Sequence, residues 1–498
     1  MGLCVYNTLT RKEEPFVPAK APDVSMYVCG ITPYDETHLG HGRAYAAFDV
    51  IRRYLEYSGY RVNYVQNITD IDDKIIEKAN RLGKTIEEVA DTYTKSFFEV
   101  MERLKIKKAA QCPKATENIQ GIVDLIAGLV SSGHAYQSGG DVYFDISKDP
   151  AYGKLSGRDL EGMQAGARVE VSGKKKSPLD FVLWKAAKEN EPYWDSPWGK
   201  GRPGWHSECV VMSRKYLGER IDIHGGGADL IFPHHENEIA QAECCGKGDF
   251  VKYWLHNGFI TINKEKMSKS LGNFFTLSEL FKQFDPMAVR FFLIRAHYRS
   301  PINFSPEGIK EAASALEGIK NAYEDMAFML RSSKNDRSSV KIDVENYKLK
   351  FISAMDRDFN TPEALAAVFD LIRAYNENRF KLSSEDINNI RLQLEEFNNV
   401  MEFGLREKKA EVKDNISDLV AQRAAAKKEK DFALADKLRA EIEAKGYIIE
   451  DTPFGSFVKK KPDGAISGPD TKVPACRTGR SAPWGKKTGA EPSGSGKK

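Results

Sequence analysis

Three groups of residues in this 498-residue chain have types and spacings suited to chemistry. In Pro33 to Arg43 (PYDETHLGHGR), His38 and His41 flank Leu39-Gly40 where a strand's loop enters a helix. A helix N-terminus presents free N–H groups and positive dipole to a phosphate. Gly40 lets a nucleotide lie against bare backbone, and two imidazoles can donate to phosphoryl oxygens as charge builds. Taken singly, the pattern also describes a capped helix with surface histidines. In Lys264 to Asn273 (KEKMSKSLGN), Lys266 and Lys269 lie among serines in a short loop. Such lysines can close over a triphosphate and neutralise departing pyrophosphate, although a charge run is more often a solvated face. The third group is sulfur, nitrogen and oxygen. His234 and Glu238 are four apart in PHHENEIAQAE, Cys209 ends GWHSEC, and Cys29 ends an apolar run. Two thiolates, an imidazole and a carboxylate suit tetrahedral zinc. Spacing does not pair these four, however: His206, His235 and the Cys244-Cys245 step are rivals, and Cys29 also reads as a small core residue.

The elements that must position these residues follow from periodicity. Met26 to Gly30 reads as a short buried strand ended by glycine, His38 to Tyr57 as a helix, and Arg61 to Ile68 as the next strand. That is a βαβ unit, hence a parallel sheet. Ligands sit beyond the carboxyl ends of such strands, which places Cys29-Gly30 and Thr69-Asp70 at one mouth. Helical patterns cover Asp72 to Lys105 and Ala115 to Ser132, and Gly140 to Ile146 reads as a strand. The aromatic run Phe181, Trp184, Tyr193, Trp194, Trp198 and Trp205, with Pro and Gly between, reads as loops packed on a site. Ile221 to His224 and Trp254 to Ile262 are further strands, with a helix from about Pro233 to Cys245 between them. From Asp285 onward strands nearly vanish and helices follow one another to Lys445, before a strand-like cap at Tyr447 to Val458. No internal repeat is present.

Composition bounds the class. With 41% hydrophobic and 29% charged residues the chain can build cores, and its length suggests roughly three domains. The most apolar stretch, Ile122 to Val130, is interrupted by Asp124 and far shorter than the ~20 residues of a membrane span. Seven cysteines at irregular spacing argue for a reducing, cytoplasmic setting over a secreted disulfide framework. The net charge of +3 is unevenly spread. Lys459 to Lys498 holds eight Lys and two Arg against three acidic residues, a surplus of seven, so the preceding 458 residues carry −4. Twelve Pro or Gly in those last forty residues predict a disordered basic tail.

The histidine and lysine elements together, on such a sheet, resemble the two signatures of class I aminoacyl-tRNA synthetases. The stretches CGITPYDETHLGH, NITDIDDKI, SPWGKGRPGWHSEC, DIHGGGADLIFPHHENEIAQ and KMSKSLGNF resemble, in this order, the cysteinyl-tRNA synthetase family. PINFSPEGI and DFALADKLRAEIEAKGYIIEDTPFG extend the likeness through about Lys460. The resemblance implies a Rossmann-like, doubly wound α/β catalytic domain split into 1–115 and 206–300 around a connective insertion at 116–205. A tRNA-binding helical bundle (301–405), a small anticodon-binding domain (406–460) and the tail (461–498) would follow. It implies ATP-dependent activation of L-cysteine and transfer to tRNA(Cys) by a monomer that touches no membrane. One Zn²⁺ would be held by Cys29, Cys209, His234 and Glu238, and Mg²⁺ would accompany ATP. Gly30, Thr69, Trp205, His224 and Asp229 would line the cysteine pocket. His38, Gly40, His41 and Lys269 would bind ATP, with His38, His41, Lys266 and Lys269 stabilising charge. Two other outcomes share parts of this pattern: a ligase joining cysteine to an amino sugar, and an inactive zinc- and RNA-binding module.

Overall fold

A computed structural model describes residues 2–158, 173–189, 191–246, 248–262, 265–266, 275–332, 339–405 and 414–460. At its centre is a parallel sheet of β1 (Asp23–Ile31), β2 (Arg61–Ile68), β3 (Ile221–Gly227) and β4 (Val251–Asn257) in the order β4-β3-β1-β2. Parallel bridges Val65–Gln111 and Ile68–Lys114 add a rudimentary fifth position outside β2. The chain thus runs outward from β1 to one edge, returns, and runs from β3 to the other. The reversal lies between β1 and β3, where open α/β sheets hold their ligands.

The first crossover is α1 (Leu39–Tyr57), which buries Tyr45, Phe48, Ile51, Tyr54 and Leu55 in the core shared by the sheet and the later helices. Ser58 and a left-handed Gly59 end it. The second crossover is long. After a helix at Ile119–Ser131, strands Ala135–Ser138, Asp141–Phe144, Phe181–Ala186 and Gly201–Pro203 form an antiparallel sheet in chain order. The aromatic run is therefore not simply loop. Phe181 and Trp184 are buried strand residues, Phe181 stacking on Phe144 at 4.9 Å; although three apart, both reach one core because the strand's pairing is irregular between Val142 and Tyr143. The chain re-enters the parallel sheet through α2 (Trp205–Leu217), and α3 (Glu236–Cys245) joins β3 to β4.

Other differences from expectation are local. Asp72 to Lys105 is two helices, Asp73–Leu82 and Ile86–Arg103, because Gly83 adopts a left-handed cap and Thr85 starts a new capping box. Trp254 to Ile262 is two strands, and a short strand at Ile302–Phe304 pairs with Ile260–Ile262. Beyond α4 (Pro286–Ile294), helices at Pro306–Ser332, Val344–Met355, Thr361–Asn378 and Ser384–Met401 share one apolar core with α1 and the sheet. Helices Asp414–Lys428 and Phe432–Ala444 and a hairpin, Tyr447–Thr452 with Gly455–Lys460, close the described chain. Among the described residues no helix is long and apolar enough to cross a membrane.

Candidate catalytic cleft and metal cluster

At the carboxyl end of β1, Gly30 lies within the strand rather than ending it. Its N–H donates to Asn67 Oδ1 at 2.7 Å, and a Cβ there would stand 1.6 Å from the Asn67 carbonyl oxygen. Only glycine lets β1 and β2 approach so closely, and that approach aims the preceding Cys29 inward. Beyond it opens a cleft of about 300 Å³ lined by Cys29, Gly30, His38, Gly40, His41, Lys74, Trp205 and Asp229, with Gly226 and Gly227 at the end of β3.

His38 is the N-cap of α1. Its Nδ1 accepts from the His41 N–H while His41 Nδ1 accepts from the His38 N–H, both at 3.4 Å, and the rings stack at 3.7 Å. The two imidazoles thus serve as the reciprocal cap that Ser and Glu usually make. They hold the helix start open toward the cleft. Lys266 lies on the two-residue strand Glu265–Lys266, whose side chains are not described, and Lys269 lies outside the described residues.

Against the cleft floor sits a buried donor cluster. Cys29 Sγ is 3.9 Å from Cys209 Sγ and 3.6 Å from Glu238 Oε1. His234 Nε2 is 3.6 Å from Cys209 Sγ and 3.0 Å from Glu238 Oε1. Metal bonds of ~2.0–2.3 Å give tetrahedral edges of roughly 3.3–3.8 Å, and these separations lie close to that range. His234 belongs to a wide turn, Ile231–His235, that leads into α3 and in which Phe232 is extended, so α3 starts at Glu236 rather than near Pro233. The i,i+4 spacing to Glu238 survives across the junction. His206 Nδ1 lies 2.9 Å from His234 Nδ1, and Trp205 stacks on the His234 ring at 4.2 Å.

Burial is the largest influence on every donor and drives each toward neutrality. It pushes Cys29 well up, Cys209 up to about 12 and Glu238 up to about 7, and it depresses His234 to about 3 and His224 to about 4. A cation among these donors would supply the charge that lets thiols and carboxyl ionise. The donor set, its spacing and its burial fit a soft divalent metal.

Two expected pocket residues stand behind the cleft wall. Thr69 is buried, accepting from Asn67 Nδ2 at 3.1 Å and donating to Glu208. His224 is buried below Cys29, its Nε2 3.6 Å from the sulfur. Trp205, 40% exposed, and Asp229 do line the cleft. Cys244 and Cys245 stand outside the donor cluster, and Cys245 instead donates to the Leu125 carbonyl at 3.6 Å. Lys74, on the cleft wall with its ammonium 5.3 Å from the Tyr34 ring, carried no sequence signal beyond its place in NITDIDDKI.

Residues 15–314 match the family described as tRNA synthetases class I (C) catalytic domain, and residues 350–406 match the DALR domain. A cysteine–tRNA ligase of Thermococcus onnurineus is 49% identical, over 92% of this chain and 99% of its own. One of Anoxybacillus flavithermus is 48% identical with the same coverage. Among solved structures, Mycobacterium tuberculosis methionyl-tRNA synthetase with methionyl-adenylate superposes at TM-score 0.56 and 16% identity, covering 76% of this chain and 90% of that one. The ternary LeuRS-tRNA-LeuAMS complex of Agrobacterium radiobacter gives 0.57 at 12% identity, over 78% and 85%. The structural likeness carries the fold and the sequence likeness the finer grouping: the chain belongs to the cysteine–tRNA ligase family of class I tRNA synthetases.

Proposed function

We propose that the cleft between β1 and β3 activates L-cysteine with ATP and passes it to tRNA(Cys), as follows. The cysteine carboxylate attacks the α-phosphate of ATP, expelling pyrophosphate and leaving cysteinyl-adenylate. A hydroxyl of the terminal ribose of tRNA then attacks the acyl carbon, and AMP departs. No side chain need act as nucleophile, so rate comes from positioning and charge neutralisation. His38 and His41 at the α1 N-terminus donate to phosphoryl oxygens, Gly40 admits the nucleotide, and Lys266 and Lys269 offset charge on the leaving pyrophosphate, with Mg²⁺ accompanying ATP. Asp229 receives the substrate ammonium and Trp205 walls its side chain, while Gly30 shapes the pocket mouth and Thr69 and His224 support it from behind.

Cys29, Cys209, His234 and Glu238 would hold Zn²⁺. Bound there, the ion supplies a soft Lewis acid that favours a thiolate over a hydroxyl. A pocket reading shape alone separates such isosteres by only ~1–3 kcal/mol, so the ion would make editing against serine unnecessary. The bundle at 301–405 would grip tRNA and the 406–460 unit its anticodon, in a cytoplasmic monomer.

The observation that carries this reading is the buried Cys/Cys/His/Glu cluster set against a cleft that also presents the α1 N-terminus. The test is cysteine-dependent ATP–pyrophosphate exchange followed by charging of tRNA or of a glucosamine–inositol acceptor. Exchange with tRNA charging is expected. Exchange with charging of the amino sugar alone, or no exchange at all, contradicts the reading.

A further inference from the structure

The donors around Cys29 and Glu238 form two overlapping quartets: Cys29, Cys209, His234 and Glu238, and Cys29, His224, His235 and Glu238. Within each, one ligand atom per residue lies within 4.8 Å of all the others. In the second, Cys29 Sγ is 3.3 Å from His235 Nε2 and 3.6 Å from His224 Nε2. His224 Nε2 is 3.3 Å from Glu238 Oε2, and that carboxylate oxygen has no hydrogen-bond partner. His235 Nε2 is 4.0 Å from Glu238 Oε1. These separations lie close to the tetrahedral edges of a metal with ~2.0–2.3 Å bonds.

His235 is also oriented as a ligand imidazole is. Its Nδ1 lies 2.8 Å from His256 Nε2, and His256 Nδ1 lies 2.8 Å from Thr8 Oγ1. That relay turns Nε2 toward the shared cysteine and glutamate, and bonding of the outer nitrogen is how metal-binding histidines are usually held. The quartets differ in place. His234 stacks on Trp205, which lines the cleft. His224 and His235 are fully buried and pack on Trp254 at 4.5 and 5.1 Å.

We propose that Cys29, His224, His235 and Glu238 form a second, deeper position for the cluster's divalent ion, sharing two ligands with the cleft-side position. The inference rests on the zinc reading above. The deeper position offers one sulfur and two imidazoles where the cleft-side position offers two sulfurs and one. An ion there is withdrawn from a substrate's thiol, and one cleft-side ligand can be lost without loss of the ion.

The test is zinc content by mass spectrometry and sulfur neighbours by X-ray absorption, on the full chain and on His234→Ala. The wild-type chain is expected to hold one zinc with two sulfur neighbours. His234→Ala is expected to keep one zinc while the sulfur count falls to one, although no cysteine was removed. Loss of the zinc from a folded variant, or retention of two sulfurs, overturns the second position. Should that variant fail to fold, His234→Gln reads the same point: one zinc with one sulfur supports it, and two sulfurs or no zinc overturns it. A wild-type chain that takes up no zinc contradicts the zinc reading itself, an outcome distinct from either variant's failure.

Discussion

Gly30 shows what single residues contribute. The sequence marks it as a strand's end, yet it sits inside β1 because the Asn67 carbonyl occupies the space of a Cβ. Gly30→Ala must push β1 from β2 at the residue next to Cys29. A displacement of that order at a reacting centre costs about 100-fold, so cysteine-dependent exchange should fall by about that factor, checked by exchange rate alongside far-UV circular dichroism. An unchanged rate would mean that the strands part without disturbing the site. The ligand question was only half legible at this scale. His234 and Glu238 show their spacing, but Cys29, Cys209, His224 and His235 come from separate elements, and only folding shows that the rivals His206 and His235 stand against the same cluster while Cys244 and Cys245 do not.

Helices and strands were more legible than contacts, because a repeating apolar face declares itself. The expectations for α1 and β2 match the observed spans to within a residue. Of the insertion's antiparallel sheet only the strand at Gly140 to Ile146 was legible; its partners were hidden because they are short, the longest running only from Phe181 to Ala186. How α1 is locked against α4 was equally hidden. Asp49 on α1 accepts from Arg290 Nη2 at 2.6 Å and from Arg53 Nε at 2.8 Å, and Arg290 also donates to the Leu104 and Met401 carbonyls. Burial pushes the Asp49 carboxyl up, but the two guanidinium groups prevail and hold it below the ordinary range. Removing one partner of a buried pair costs about 3–5 kcal/mol, and Asp49→Asn should lose about that much stability to urea at pH 7. Because the folded pKa is depressed, the ionised form's contribution is present above the unfolded value of about 4 and is lost as pH falls through the folded value. The gap between wild type and Asp49→Asn should therefore narrow below about pH 4, and a gap independent of pH would show that the charge of Asp49 is not what the junction uses.

For the whole molecule, net charge was a poor guide to a polyanionic partner. The surplus lies in the final residues, and the body is at −4. Binding of tRNA must then rest on local basic patches in the fold, with the tail adding salt-sensitive attraction. Deleting residues 461–498, which lie outside the described structure, should leave adenylate formation intact and weaken tRNA binding only at low salt, as read by filter binding across a salt series. The parallel-sheet body is held to the helical bundle by one continuous apolar core running from Leu3 to Phe403, so cleft and bundle should act as a unit. Central to the account is that a metal in the Cys29 cluster reads the sulfur of the substrate. The most direct measurement is ATP–pyrophosphate exchange with cysteine and with serine, on the chain as purified, after chelation, and after zinc is restored. The account predicts cysteine-selective exchange that disappears on chelation and returns with zinc. Cysteine selectivity that persists in a chain shown to be metal-free would contradict it.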